Sequence, residues 1–544
     1  MKKYIIKIAL CVGVLSVYSC KDALDIVQEG ELYPENAYKY TDDLRRVLDA
    51  NIYNGSYINS AEAEVASLSM FPQISFTSQF TDEVGIGPAN SDITVGPHQF
   101  YVDITTSQAN DIWVSSYNII NNVVRLIEGS KNITPTSPAE QKLYNSYLAE
   151  GRTLRAFAYL QLLSYYSTDM ADPNALGVIL LDHIPTFEEQ LPRVNNSAIY
   201  SVIESDLDFA ENNISLTGRN ESRFFVSKQM INALKARYYL YTKKYTLAKQ
   251  YAQKVVNESG LSLTSATPVP APIPTSNSTP SAVLSWHRSL NVYTTSNPYV
   301  KMWQDTNPGE VIFALSRPNT DPPPPIRGWE NMVNLFAQNS STISGSRYDM
   351  GRNLFNILDS TPGDIRRWAY IDPTYKMDPN YLTSDNYRKD DALVIDKYPG
   401  RSGVILRNDV KVFRLSEIYF ILAECAAVEN NLTQAAQYIK AVRDARNYRG
   451  AAVMPTYTNS QSALIDILKE RRVELAFEGH RYIDLKRLGK LTGQSIDRSI
   501  VDDYSKEAPV TIPNDDFRFT LPIPRKELQA NQLIQQNPGY KATP

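Results

Sequence analysis

The sequence predicts a mainly α-helical protein built from helical hairpins, with long loop-rich insertions and a few short strands. Two observations lead to this fold class. Several long segments carry apolar residues at helical spacing, and small residues recur twelve positions apart within two of them. Between these segments lie stretches rich in Pro, Ser, Asn and Tyr that have no sustained periodicity. At 544 residues the chain is longer than one compact core needs, which favours several subdomains or an elongated helical array.

The N-terminal segment has the pattern of an export signal. Two lysines follow the first methionine and precede an apolar run from about Tyr4 to Val17, which is too short to span a bilayer comfortably. Cys20 directly follows a small residue, as in a bacterial lipobox, although Tyr18 is bulkier than the usual residue there. We therefore expect a lipoprotein signal peptide over residues 1–19 and acylation of Cys20 by fatty acids such as palmitate. An ordinary signal peptide with a chance cysteine is the alternative.

The three cysteines are compatible with an exported protein that contains no intramolecular disulfide. The chain has 3 cysteines. Cys11 would leave with the signal peptide and Cys20 would carry lipid, so Cys425 would have no partner in the mature chain. Two fatty chains and an N-terminal acyl group give stable attachment to a membrane. The mature protein is predicted to be anchored to a membrane without crossing it.

Helical periodicity marks the scaffold in chain order. The first helical segments are 41–50, 111–128 and 141–166. In the second of these the apolar residues form one stripe at helical spacing, as expected for a helix that packs on a core. Trp113 in this helix, and Trp303 beside another regular element, are expected to pack internally.

Two later segments are expected to form helical hairpins. Ala236 and Tyr239 are followed by Ala248, and the same twelve-residue step separates Ala423 from Ala435. Small residues at these points let two antiparallel helices approach closely, as they do in tetratricopeptide-type hairpins. The units are far apart in sequence, so the scaffold would carry large insertions. A plain helical hairpin unrelated to the tetratricopeptide repeat is the alternative.

The insertions fall into two loop-rich regions. Residues 264–281 are too rich in Pro, Ser and Thr for a helix or a central strand. A short strand is predicted at 310–316, and residues 341–401 show no periodicity. A second loop-rich stretch spans 67–103. Long loops inside an ordered protein are usually functional or disordered, and the aromatic residues interleaved here argue against plain disorder.

These patterns divide the chain into four parts. The signal peptide occupies 1–19, and an N-terminal helical part covers 20–260, including the loop region 67–103. The loop-rich insertion 261–410 is the predicted ligand face, and a C-terminal helical part covers 411–544.

The composition excludes some functions and the motifs support no enzyme class. A net charge of −4 gives no basic surface for nucleic acid. The sequence contains no HExxH, GxSxG, GxxxxGK[ST] or CxxC motif, and its 4 histidines are scattered. Glycosidase carboxylates have arbitrary spacing, so that class stays open, although Asp82 and Glu83 are expected to be a solvated loop pair. No cofactor is indicated, and a structural calcium ion is neither required nor ruled out.

The stretch ERRVELAFEGHRYIDLKR crowds charges in a way that suggests an active site. If it forms one helix, Arg471, Glu474, Glu478 and Arg481 share a face and each glutamate has an arginine three residues away. Flanking arginines lower the pKa of a glutamate, which is the wrong direction for a general acid or base. We therefore interpret these four residues as a structural network, with Gly479 ending or breaking the helix.

Several segments together resemble one family of proteins. They are the lipobox with Cys20, AEGRTLRAFAYLQLLSYY, RLSEIYFILAECAAVENNLTQAAQYIKAVRDARN, KERRVELAFEGHRYIDLKRLG and LPIPRKELQANQLIQQNPGY. This set resembles the SusD/RagB family of outer-membrane lipoproteins from Bacteroidetes, over essentially the whole mature chain. The resemblance implies a SusD-like scaffold with four tetratricopeptide-like hairpins and loops on one side.

The resemblance also implies a function. Members capture oligosaccharides at the cell surface and cap a SusC-like TonB-dependent transporter of the outer membrane. We accordingly expect a lipid-anchored, non-catalytic polysaccharide-binding protein that faces the cell exterior within a polysaccharide utilisation system. Peptide capture of the RagB kind is the main alternative, and a surface glycoside hydrolase is a third hypothesis.

Glycan binding requires aromatic platforms with polar groups around them, because sugars present apolar C–H faces rimmed by hydroxyls. The proline-rich stretch before Trp329 makes that residue the best candidate for a stacking ring. The other candidates on the loops are Trp286, Tyr293, Tyr299, Tyr101, Asp82 and Asn90. A structural role is the alternative for each of them.

Overall fold

The computed structural model describes most of the chain. The described residues are 38–53, 68–87, 96–267, 278–279, 281–282, 285, 297–316, 347–372, 375–384, 391–400, 408–503, 505 and 507–541. The predicted signal peptide and Cys20 lie outside them.

The described residues form a mainly helical protein, which confirms the predicted fold class. The helices are α1 (Thr41–Val47), α2 (Phe71–Phe80), α3 (Ser107–Ser130), α4 (Pro138–Tyr166), α5 (Asn196–Asn213), α6 (Lys228–Tyr241), α7 (Tyr245–Glu258), α8 (Pro298–Trp303), α9 (Arg352–Asp359), α10 (Arg366–Ala369), α11 (Leu415–Val428), α12 (Leu432–Arg446), α13 (Ser460–Glu474), α14 (Arg481–Thr492) and α15 (Arg525–Ala530). Consecutive helices pack against each other, as α3 does on α4 and α6 on α7.

The strands are short and pair antiparallel in twos. They are β1 (Val84–Ile86), β2 (Leu176–Ile179), β3 (Arg193–Asn195), β4 (Val311–Leu315), β5 (Tyr348–Met350) and β6 (Val410–Arg414), paired as β1 with β5, β2 with β3 and β4 with β6. The strand predicted at 310–316 is thus confirmed as β4. Because its partner β6 leads directly into α11, the pairing ties the central insertion to the C-terminal helices.

Local capping signals explain where the main helices begin. Ser137 precedes α4 and accepts a hydrogen bond from the backbone N–H of Glu140 at 3.2 Å, and Pro138 occupies the first helical position. Asn459 plays the same role for α13, since its side chain accepts from the N–H of Ser462 at 2.8 Å. Each cap satisfies a donor that the first turn of a helix leaves unpaired.

The small residues of the two predicted hairpins lie at helix contacts. Ala236 of α6, Ala248 of α7, Ala423 of α11 and Ala435 of α12 are all fully buried. Helix α7 also packs against α11, so the two hairpins are neighbours in space although more than a hundred and fifty positions separate them in sequence. The close-packed hairpins that the twelve-residue step predicted are confirmed.

Other local predictions agree with the structure within a few residues. The predicted helices 111–128 and 141–166 are α3 and α4, and α1 continues into a wider turn over Leu48–Ile52. Trp113 and Trp303 are 2% and 1% exposed, which confirms them as packing residues.

The described ranges contain neither a membrane span nor a metal centre. No helix among these residues is long and apolar enough to cross a membrane. Nor do they contain a cluster of three or more His, Cys, Asp or Glu side chains arranged to hold a metal ion.

Candidate functional site

The charged stretch that begins at Glu470 forms the centre of a buried ion-pair network. Oε1 of Glu474 accepts hydrogen bonds from Arg414 and Arg446, each at 2.8 Å. Oε2 of Glu474 accepts from Arg446 at 3.0 Å and from Arg366 at 3.1 Å. Glu310, just before β4, accepts from Arg414 and Arg446 as well, each at 2.9 Å. The network therefore joins β4, β6, α10, α12 and α13.

The other three residues of the predicted network also pair with distant partners. Glu478 accepts from Arg414 at 2.7 and 2.8 Å and from Lys397 at 2.7 Å. Arg471 donates to Asp484 at 2.7 Å, and Arg481 donates to both carboxylate oxygens of Asp82, at 2.9 and 2.8 Å. These contacts connect α13 and α14 to the loop that follows α2.

The predicted pairing within one helix is wrong. Helix α13 ends at Glu474, and α14 begins only at Arg481. Between them the backbone turns at Phe477 and Gly479, both with positive φ (62° and 84°). The turn points the charges of the stretch toward other elements, so each finds its partner there.

The electrostatics of this network oppose proton-transfer chemistry. Burial alone would raise the pKa of Glu474, but Arg446 and Arg414 hold it well below its usual value. The pKa of Glu478 is lowered in the same way by Arg414 and Lys397. Since both carboxylates are buried, permanently charged and fully paired, they hold elements together.

One neighbouring carboxyl behaves differently. Burial raises the pKa of Glu83 to about 7. Its oxygens accept from the Ser78 hydroxyl at 2.6 Å and from the backbone N–H of Phe477 at 3.1 Å, and no cation among the described residues forms an ion pair with it. Glu83 immediately precedes β1, so it lies at the base of the loops described next.

The two loop-rich regions meet at the β1–β5 pair. Val84 pairs with Met350 and Ile86 with Tyr348, which brings the middle of region 67–103 beside the central insertion. One residue beyond the strands, the N–H of Gly87 donates to the carbonyl of Arg347 at 2.9 Å. We call residues 84–87, 96–103, 347–352 and 499–503 the loop junction.

Buried polar contacts brace the loop junction from below. Arg498 donates to the carbonyls of Thr81 and Gln79, each at 2.6 Å. Asp502 accepts from the N–H of Arg352 at 2.9 Å, and its carbonyl lies 3.0 Å from Nε2 of His98. These contacts fix the backbone positions from which the loops on either side depart.

The predicted ligand residues do not all lie at this face. Tyr101 does: its ring is 52% exposed and its hydroxyl donates to Asp103 at 3.0 Å. Trp329, Trp286, Tyr293 and Asn90 lie outside the described residues, so their role stays a prediction.

Two of the predicted ligand residues are buried instead. Tyr299 is fully buried on α8, 2.7 Å from the hydroxyl of Tyr370, so no face of its ring is open to a ligand. Asp82 is 1% exposed and ion-paired with Arg481. The expectations that Tyr299 stacks on ligand, and that Asp82 and Glu83 form a solvated pair, are therefore wrong.

Sequence reasoning also missed an aromatic residue beside the loop junction. Tyr381 is partly exposed, and the guanidinium of Arg352 lies 3.9 Å from the centre of its ring. Its hydroxyl accepts from Nδ2 of Asn356 at 3.1 Å. The only signal was an aromatic residue within a polar turn, DPNYLTSDN, which many surface turns share. A ring held this way can offer its other face to an apolar sugar surface.

Comparison with known proteins finds similarity along the whole chain. A model of the SusD family, which includes RagB, matches residues 374–540. The chain is 21% identical to SusD-like protein P25 of Formosa agariphila over 97% of this chain and 98% of the relative. It is 23% identical to SusD-like protein P2 of the same organism, over 99% and 100% of the two chains.

Solved structures are similar over the same extent. A SusD superfamily protein from Bacteroides thetaiotaomicron superposes with a TM-score of 0.71 at 20% identity, covering 92% of this chain and all of that one. A protein described as a laminarin-binding SusD-like protein gives a TM-score of 0.62 at 21% identity, covering 92% and 100%. At these identities the likeness establishes the fold.

Proposed function

The chain belongs to the SusD/RagB family, and from that membership we propose that it is a non-catalytic carbohydrate-binding lipoprotein of the cell surface. In this proposal the loop junction and the loops that depart from it capture polysaccharide or oligosaccharide. The captured glycan then passes to a SusC-like TonB-dependent transporter in the outer membrane. Acylation of Cys20 would hold the protein on that membrane, facing the exterior.

The observation that carries the proposal is the hydrogen bond between Gly87 and Arg347 beside the β1–β5 pair. It lies where residues 84–87 of the first loop-rich region meet residues 347–350 of the central insertion, which supports a ligand site that both regions share. Tyr101 and Tyr381 lie on segments joined to the same junction. Aromatic rings with carboxylates and amides around them suit a ligand of apolar faces and hydroxyl edges.

Two supporting arguments concern catalysis and ligand class. The carboxylates of the buried network are charged and fully paired, which suits a scaffold and leaves them without a proton to give. A laminarin-binding protein is among the structural relatives, which supports a glycan as the first class of ligand to test.

Affinity electrophoresis against a panel of polysaccharides that includes laminarin tests the proposal. We expect at least one polysaccharide to retard the chain, and Trp329→Ala to reduce that retardation. Phe187→Ala is the matched control, because Phe187 is a fully exposed aromatic on the β2–β3 connection, outside both loop-rich regions. Absence of retardation by every polysaccharide, together with peptide binding, would favour the RagB-type alternative. Release of reducing ends from a polysaccharide by the pure protein would contradict the non-catalytic role.

The partner and the anchor need separate experiments. Solubilised outer membranes should yield a TonB-dependent transporter when the full-length chain is purified from its host. Cys20→Ala should release the chain from the membrane fraction without changing its retardation by polysaccharide.

A further inference from the structure

A pocket opens among the helices, and none of its lining residues belongs to the loop junction. Its volume is about 610 Å³, and it lies where the end of α4, the turn between α6 and α7, and helix α14 meet. Pockets of a few hundred Å³ are the usual size for small ligands. None of its lining residues belongs to regions 67–103 or 261–410.

Lys486 is half-buried in the lining of the pocket, and its ammonium group pairs with no carboxylate among the described residues. Its Nζ donates to the carbonyls of Ser164 and Ser167, at 3.0 and 2.7 Å, near the C-terminal end of α4. An ammonium has three N–H donors, so one remains. Burial lowers the pKa of Lys486 to about 7, and only the more distant Asp169 opposes this. An anion in the pocket would satisfy the remaining donor and the charge together.

Two further buried polar atoms line the pocket without a partner among the described residues. The terminal nitrogens of Arg487 bind Glu424 and Asp484, but its Nε–H has no acceptor. Asn514 donates through its amide to the carbonyl of Gln494 at 2.8 Å, whereas its Oδ1 has no donor. Both atoms are enclosed by protein, so the cost of about 1–3 kcal/mol for an unpaired buried polar atom is recovered by a ligand only if the wall of the pocket rearranges.

The rim of the pocket carries charges of both signs. Lys243 and Lys490 are exposed and form no ion pair with any described residue. Lys243 sits in the tight turn after α6 with φ of +58°. Asp169 and Asp515 face the same opening and are exposed. The rim therefore attracts one negative group while repelling a polyanion.

We infer that this pocket is a second saccharide site, which binds a sugar that carries a single carboxylate, that is, a uronic acid. The carboxylate accepts from Lys486, with Lys243 and Lys490 near the entrance. The sugar hydroxyls donate to the rim carboxylates of Asp169 and Asp515. The inference rests on the proposed function only in taking the ligand to be a carbohydrate.

Isothermal titration calorimetry on the full-length chain tests this site with three probes: glucuronic acid, glucose and sodium sulfate. Glucuronic acid differs from glucose by the one carboxylate, so we expect it to bind at least about tenfold more tightly. Equal affinity for the two sugars, or no binding of glucuronic acid, would overturn the assignment. Sulfate that binds as tightly as glucuronic acid would also overturn it, because the pocket would then be an anion site without sugar contacts.

Variants locate the binding. Lys243→Ala and Lys490→Ala remove exposed, unpaired side chains, so both proteins should fold normally and bind glucuronic acid about three- to tenfold more weakly. Lys142→Ala is the matched control, an exposed and unpaired lysine at the other end of α4. Unchanged affinity in the Lys243→Ala/Lys490→Ala double variant would place the binding elsewhere and contradict the inference.

The two sites are separable in the same samples. The double variant should keep its retardation by a neutral polysaccharide in affinity electrophoresis. If no polysaccharide retards the chain while glucuronic acid still binds at the pocket, the proposed function fails and the pocket stands. If a polysaccharide retards the chain but glucuronic acid does not bind, the proposed function stands and the assignment of the pocket fails.

Discussion

Nη1 of Arg414 lies 2.8 Å from Oε1 of Glu474, and neither side chain is exposed by more than 1%. This pair joins β6 to the end of α13, and Arg446 binds the same oxygen from α12. A buried carboxylate with several arginine partners cannot be removed without leaving those arginines unpaired. Arg366 of α10 binds Glu474 as well, so this cluster holds the C-terminal helices and the central insertion together.

Glu474→Ala should destabilise the protein strongly. Breaking a buried ion pair by removing one partner costs about 3–5 kcal/mol, and here three guanidinium groups lose a partner. Chemical denaturation followed by circular dichroism measures the free energy of unfolding. Glu128→Ala is the control, since its exposed pair with Lys131 should contribute less than about 1 kcal/mol.

The folded fraction of Glu474→Ala should still bind polysaccharide with normal affinity. The carboxylate of Glu474 accepts from Arg366, Arg414 and Arg446, which all belong to the buried scaffold network. Lost binding with an unchanged melting temperature would show that the charged stretch belongs to the ligand site.

Glu83 should make stability depend on pH near neutrality. Its pKa is raised to about 7 by burial, so the folded state binds a proton more tightly than the unfolded state does. The resulting stabilisation of the folded state is fully present below about pH 4.5 and is lost as the pH rises through 7. A pKa raised from 4.5 to about 7 corresponds to about 3 kcal/mol of folding free energy.

Glu83→Gln should remove this dependence. The amide can still accept from the N–H of Phe477 and can donate to the Ser78 hydroxyl, which is able to accept in return. We expect the variant to be more stable than the wild type at pH 8 and about equally stable at pH 4.5, by denaturation at both values. A variant that is less stable at both would indicate that Glu83 is ionised in the folded protein.

Gly479→Ala should destabilise the turn between α13 and α14. Gly479 has φ of +84°, and a Cβ there would lie 3.3 Å from Cγ1 of Ile74. A left-handed backbone costs an alanine about 1–2 kcal/mol, to which the contact adds. Gly493→Ala is the comparison, because its φ is +71° with open space around it. Thermal unfolding should show a larger loss for Gly479→Ala than for Gly493→Ala.

The helical scaffold could be predicted because its signals are local. The stripe on α3 and the twelve-residue steps from Ala236 and Ala423 each lie within one or two helices. The partners of Glu474 could not be predicted from the sequence, because Arg414 and Arg366 are 60 and 108 residues away along the chain. Periodicity within a helix says nothing about which distant arginine arrives beside it.

The site was harder to predict for a related reason. Asp82 looked solvated because its sequence neighbours are loop-like, but Arg481 reaches it from 399 residues away. Tyr299 had a local signal that was overlooked: Asn297 accepts from the N–H of Tyr299 at 3.2 Å and Pro298 begins α8. An Asn-Pro pair before YVKMW predicts a short buried helix, not a binding loop.

Tyr101 and Tyr299 were predicted alike and should now behave differently. Tyr101 is exposed, and its hydroxyl donates to Asp103, so Tyr101→Ala should leave the free energy of unfolding within about 0.5 kcal/mol of the wild type. If the loop junction binds glycan, the same variant should weaken polysaccharide binding about tenfold, because an aromatic contact at the centre of a site carries much of the binding energy.

Tyr299→Phe should lower stability and leave binding unchanged. The variant loses one buried hydrogen bond with Tyr370, which is worth about 1 kcal/mol of stability, and it should bind polysaccharide with normal affinity. Denaturation measures the free energy of unfolding of both variants, and affinity electrophoresis measures their binding of polysaccharide. Normal binding by Tyr101→Ala would show that Tyr101 is not part of the ligand site.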